Sequence, residues 1–173
     1  MIRLAKDRRG VALTEFALAL PFLILLLVGA YQFSDAVSAY RKVTTTTKTV
    51  ADLTSQFTSV SQSDVNTILN ASAQVLTPYS AAASKITVSQ IHIDDKLVAT
   101  VDWSQGKNII GLTKGAAFEL PAEVKQPDTY VIVAAVDYRY DPIVAANLIG
   151  TINMHDQIIM GPRASNLVKM RTS

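Results

Sequence analysis

Residues 11–31 read VALTEFALALPFLILLLVGAY, the one stretch of membrane length and apolar composition in this chain of 173 residues. A helix rises about 1.5 Å per residue, so this run reaches across the roughly 30 Å hydrocarbon layer of a bilayer. Glu15 is the only charge in it. A charged side chain costs about 2.5 kcal/mol or more at the centre of a membrane helix, so it needs hydration or a partner. Glu15 lies near the N-terminal end of the run. It is therefore either a hydrated interfacial residue or a carboxylate with an assigned partner. Pro21 falls inside the run, where it removes one backbone hydrogen bond. It either kinks the helix or has local consequences only; membrane helices tolerate both.

Upstream stands MIRLAKDRRG, with Arg3, Lys6, Arg8 and Arg9. Basic residues flanking a membrane helix stay on the cytoplasmic side. They predict a cytoplasmic N-terminus and residues from about 32 onward outside the cytoplasm. The chain has 16 Lys and Arg against 14 Asp and Glu, and its net +2 comes from this N-terminal end. The remainder is neutral and shows no basic patch, so no nucleic-acid partner is expected. Hydrophobic residues make up 49% and charged residues 17%, with a mean hydropathy of +0.25 that the apolar run explains. Cysteine is absent, which excludes a disulfide framework, a thiolate metal site and a cysteine nucleophile.

A cleavable secretory signal has a shorter apolar core followed by a small-x-small site. Here the run passes through Val28, Gly29, Ala30 and Tyr31 into a further helical pattern. A simple signal anchor stays open. A prepilin-type signal fits more specifically: a short basic leader, then Gly10, then an apolar helix. The carboxylate of Glu15 comes at the fifth position after Gly10, and an aromatic, Phe16, at the sixth.

The stretch RRGVALTEFALALPFLILLLVGAYQFSDAV closely resembles TadE/TadF-type minor pilins (pseudopilins) of the bacterial tight-adherence (Tad/Flp) pilus apparatus. Gly10, the pair Glu15-Phe16, the ALALP run ending in Pro21 and the Leu-rich continuation carry the resemblance. It extends over about the first third of the chain. TadG-like proteins share such an N-terminus but usually carry a longer C-terminal region. The resemblance implies cleavage between Gly10 and Val11 by a prepilin peptidase. Glycine, lacking a side chain, readily adopts an extended scissile-bond conformation. It also implies that Glu15 faces the new amino group of Val11, or that of a neighbouring subunit, and so sets subunit register. The implied partners are the peptidase, other Tad/Flp pilins, inner-membrane assembly proteins and the lipid bilayer. The plainer alternatives are a flexible joint at Gly10 and ordinary lipid contact at Phe16. An unprocessed, signal-anchored envelope accessory or binding protein is the competing function.

Past the membrane run the helical period continues through Phe33, Val37, Tyr40, Val43 or Thr44, Thr47, Val50 and Phe57. Ser63-Asp64 starts a second helix whose face is Val65, Ile68, Leu69, Ser72, Val75 and Leu76, and Pro78 closes it. From Lys85 the period becomes two. Ile86 to Val88 and Ile91 to Ile93 alternate, with a slip between them that reads as a bulge. Asp94-Asp95 reads as a turn. Leu97, Ala99, Val101 and Trp103 then form an apolar strand face. Residues 104–128 read as loop, Tyr130 to Tyr140 as a long central strand and Gln157 to Met160 as a short last one. The expected class is α+β, a long and a short helix followed by an antiparallel sheet of about four strands. The expected divisions are a leader at 1–10, a membrane helix at 11–31, its continuation at 32–58 and an extracytoplasmic domain at 59–173.

Catalytic patterns are missing. His92 and His155 are the only histidines and fall in different parts of the chain. Asp94, Asp95, Asp137 and Asp141 lack calcium-loop spacing and read as turn or strand-edge residues. No nucleotide-binding glycine motif, nucleophile elbow or zinc pattern occurs. Neither an enzyme, nor a cofactor, nor a metal is expected.

Overall fold

The computed structural model of the chain describes residues 8–142 and 150–171, with side chains from Val11 onward. Helix α1 spans Arg8–Ser55 without a break and carries Pro21 inside it. Its 48 residues reach about 70 Å. The half nearer the N-terminus projects from the rest of the molecule, and the other half packs on a sheet.

Helix α2, Gln62–Ala73, begins one residue earlier than its first good cap suggests. Ser61 is the N-cap, and its hydroxyl accepts from the Asp64 amide while the Asp64 carboxylate accepts from the Ser61 amide. This reciprocal capping box satisfies two helix-end donors. A 3-10 turn, Gln74–Leu76, follows α2, and Pro78 comes after it in a cis peptide bond.

The described residues form six strands, the first between α1 and α2: β1 Ser59–Ser61, β2 Ser84–Ile93, β3 Ala99–Lys107, β4 Thr129–Tyr140, β5 Ile152–Met160 and β6 Lys169–Arg171. The main sheet is antiparallel with order β3-β2-β4-β5. The expected α+β class and four-stranded sheet are therefore what the molecule has. The short parallel pair β1–β6 was not legible from the sequence. β5 is also longer than the expected Gln157–Met160. Residues 152–156 are mixed in character, yet they pair along β4 from Tyr140 to Val136.

Three expectations change on packing. First, α1 meets the sheet with Ala39, Val43, Thr47, Val50, Ala51 and Thr54, whereas Phe33, Tyr40 and Phe57 are exposed. The helix turns its small residues inward because they let its backbone approach the sheet closely. Periodicity alone favoured the larger aromatics two or three positions away. Second, Leu97 belongs to the turn, with φ 63 and 43% exposure, and β3 starts at Ala99. Third, the bulge lies on β3. Gln90 pairs with Trp103 and Ile91 with Val101, which leaves Asp102 as the extra residue. β2 keeps unbroken register with β4.

β2 itself alternates without a break, so the slip in its apolar pattern marks a change of buried face, and the β3 bulge sends Trp103 and Val101 to opposite faces to match it. Ile86, Val88 and Trp103 join the core under the helices, with Ile132, Ala134 and Val136. Ile91, Ile93, Ala99 and Val101 join a second core on the opposite face, closed by Phe118 and Leu120 from the long β3–β4 loop. A strand covered on both faces reads as apolar at both parities. Each fully buried Val or Ile contributes about 1.5–3 kcal/mol, so both layers stabilise the domain.

Candidate functional site

The chain's distinctive surface is the projecting half of α1. From Val11 to Tyr31 every residue is exposed except Val28, which is half-buried. Phe16, Phe22, Leu25, Leu26 and Leu27 all stand free of the domain. Among the described residues α1 is the one helix long and apolar enough to cross a membrane. A soluble helix normally buries its apolar stripe, and one apolar all round belongs in an apolar medium or a partner's core.

Arg3 and Lys6 lie outside the described residues. Gly10 has helical backbone within α1. Glycine is about 1 kcal/mol worse than alanine inside a helix, which makes this turn one of the easier ones to unwind. Glu15 is exposed four residues beyond Val11, a spacing that places the two on one helix face. Between them the Thr14 hydroxyl donates to the Val11 carbonyl at 2.8 Å.

Where α1 enters the domain, a junction appears that the sequence reading passed over. Asp35 stands one turn past Tyr31. Its carboxylate accepts hydrogen bonds from the Tyr79 hydroxyl at 2.9 Å and from the Tyr140 hydroxyl at 2.5 Å. The Tyr79 ring meets Tyr138 and Tyr140 edge-on, at centroid distances of 6.4 and 6.3 Å. Burial, then the carboxylate of Asp35, pushes the Tyr79 phenol up to about 12 and that of Tyr140 further still. The alternation Tyr138-x-Tyr140 was the available signal, but Asp35 and Tyr79 are 44 residues apart and only the fold joins them.

The remaining polar candidates hold structural positions. His92 stacks on Tyr130 at 4.6 Å on β2, and His155 shares a 2.7 Å hydrogen bond with Asp137 on the neighbouring β4. Asp94 accepts from the amides of Lys96 and Val98 and shapes the β2–β3 turn. Asp141, at the other end of the sheet, accepts from Thr151 and Arg139. The four aspartates are thus split between opposite ends of the molecule. Among the described residues no three His, Asp or Glu side chains gather as a metal site. Two buried clamps close the domain: Trp103 Nε1 donates to the Val168 carbonyl at 2.8 Å, and the Val168 amide donates to Gln90 Oε1 at 2.6 Å.

No curated protein and no solved structure matches the chain. Residues 10–52 match the family described as TadE-like protein. The matched segment is α1 from Gly10 almost to its end, and the sheet lies outside it. Over its first helix, the chain is therefore similar to TadE-like proteins, a family associated with the Tad pilus system.

Proposed function

We propose that this is a pilus-assembly protein of the minor-pilin type, held in the bacterial inner membrane by residues 11–31. The N-terminus is cytoplasmic, the sheet domain is extracytoplasmic, and a prepilin peptidase cuts after Gly10. The observation that carries this reading is the uncovered apolar half of α1, which coincides with the TadE-like match. Cleavage frees the Val11 amino group one turn from Glu15. A pair formed there, or with a neighbouring subunit, offsets the cost of a carboxylate at the membrane boundary and fixes subunit register. Pro21 lets the helix bend as subunits leave the bilayer. Partners on this reading are the peptidase, other Tad/Flp pilins, inner-membrane assembly proteins and lipid.

N-terminal sequencing of the protein from cells that contain the peptidase tests it. The mature chain should begin at Val11, and Gly10→Leu should block the cut. Glu15→Leu should still insert, being more apolar, but should lose surface adhesion. The second reading, which the apolar run alone also satisfies, is an unprocessed envelope anchor. An intact Met1 terminus would establish that reading instead, and full adhesion by the Glu15→Leu protein would remove the register role.

A further inference from the structure

The end of the domain from which α1 departs carries a second apolar feature. Asp35 fixes that end, because the Tyr140 that it holds terminates β4. Ser84, opposite Tyr138, begins β2 there, and Lys107, opposite Ile86, ends β3 there. Directly after Lys107 the chain reads Asn-Ile-Ile-Gly-Leu. Ile110 is 92% exposed, and Ile109 and Leu112 are exposed beside it. This tip is built firmly. Asn108 takes φ 57, and its amide donates to the carbonyls of Ser84 and Ala81 at 2.8 and 3.3 Å. A Cβ on Gly106 would stand 2.4 Å from the Ile109 carbonyl oxygen, and one on Gly111 2.7 Å from that of Ser104. The two glycines therefore permit a reversal tight enough to hold the isoleucines out. The Leu112 amide donates to the Ser104 hydroxyl and anchors the returning strand of the tip. Lys85 is exposed and Lys107 half-buried beside this tip.

Height decides the occupant. Asp35 lies four residues past Tyr31, about 6 Å along the helix axis. Headgroup layers add roughly 5–8 Å on each side of the hydrocarbon core. With residues 11–31 in the bilayer, the Asp35 junction stands at headgroup depth and this end of the sheet faces the lipid. Resting on that membrane reading of α1, we propose that the Asn108–Leu112 tip docks on the extracytoplasmic leaflet. Ile109 and Ile110 enter the headgroup layer, and Lys85 and Lys107, set back along the strands, stand on its solvent side. The contact fixes the tilt of the sheet over the membrane and supplies a second, breakable attachment besides α1.

The chain has no cysteine, so single probes can be placed cleanly. Three full-length variants, Ile110→Cys, Lys96→Cys at the opposite end and Leu25→Cys in α1, are labelled with an environment-sensitive dye. Each is reconstituted at high dilution in phosphatidylethanolamine–phosphatidylglycerol vesicles containing a shallow nitroxide lipid. The label at 25 should report burial in lipid. The label at 110 should be quenched at least threefold more than the label at 96 and should shift to the blue. Ile109→Ser in the Ile110→Cys background should return quenching toward the value at 96. Quenching at 110 equal to that at 96, with position 25 in lipid, would overturn the docking and leave the anchor intact. A label at 25 that reports water would remove the membrane reading and the docking together. A blue shift at 110 that follows protein density rather than nitroxide would assign the tip to a second copy of the chain and overturn the lipid contact.

Discussion

Asp35 shows how one side chain couples the helix to the domain. Its carboxylate accepts two phenolic hydroxyls, so replacement by alanine leaves the buried Tyr140 without that acceptor and Tyr79 with only the main-chain carbonyl of residue 35. Unsatisfied buried polar groups cost about 1–3 kcal/mol, and Asp35→Ala should lower stability by that order in denaturant titration. The junction also predicts an alkaline limit. The Tyr79 phenol, ordinarily near 10.0, is pushed up to about 12 in the fold, first by burial and then by Asp35. The folded chain thus holds a proton that the unfolded chain has released across that window. Stability from this source is complete below pH 10 and falls as pH rises toward 12. Replacing Tyr79 and Tyr140 by phenylalanine should flatten that fall; an unchanged slope would place the alkaline transition elsewhere. At the other side of the core, Trp103 is 5% exposed and should emit in the blue. Trp103→Phe leaves the Val168 carbonyl without its donor and should cost about 1–3 kcal/mol, read as a lowered Tm.

Element α1 shows why some of the fold was legible and some was not. Its existence follows from an apolar run joined to a period near 3.6, and the strands follow from a period of two. The packed face does not follow, because Ala, Thr and Val fill it while Phe33 and Tyr40 point away. Sequence periodicity locates large side chains readily, but close helix–sheet approach selects small ones. The threonine run reads as weakly helical, yet Thr45, Thr46, Thr47, Thr49 and Thr54 each donate to the carbonyl four residues back. Tertiary cover then outweighs their modest propensity cost. In the same way the Asp102 bulge was hidden, since Val101 and Trp103 read as one alternating face in the sequence but enter cores on opposite faces of the sheet. The roles proposed for Gly10, Glu15 and Phe16 rest on local spacing alone; the Asp35 junction and the β1–β6 pair need contacts across the chain. The packed face is directly testable. Ala51 is fully buried, so Ala51→Leu should overpack the interface and cost about 1–3 kcal/mol. Tyr40→Ala on the exposed face should change stability by about 0.5 kcal/mol or less. Comparable losses from both would mean that α1 meets the sheet in another rotation. Because this half of α1 completes the core, a fragment from residue 32 should unfold cooperatively, and one from residue 60 should not.

The whole molecule is a polarised rod and head. Its net charge of +2 comes from the end that precedes the apolar run, and the head is balanced. The lysine and arginine bias of short flanks sets membrane orientation, whereas a neutral folded domain contributes little. The orientation proposed above therefore rests on Arg3, Lys6, Arg8 and Arg9 rather than on the head. A reporter that is active only outside the cytoplasm, fused after Ser173, should be active in the unaltered chain. Replacing the four basic residues by Gln, while changing Gln32 and Ser34 to Lys, reverses the flank bias and should give mixed or inverted insertion. Reporter activity should then fall severalfold as a cytoplasmic reporter at the same position gains it. The Gly10→Leu protein separates orientation from processing, because it should stay uncut and still place its head outside. If charge reversal leaves the head outside, the flanking charges do not orient the chain and a partner or the folding head must do so. If the unaltered chain is active only with a cytoplasmic reporter, the inner-membrane assembly reading fails at its first step, because neither a pilin subunit nor an envelope anchor can act with its head on that side.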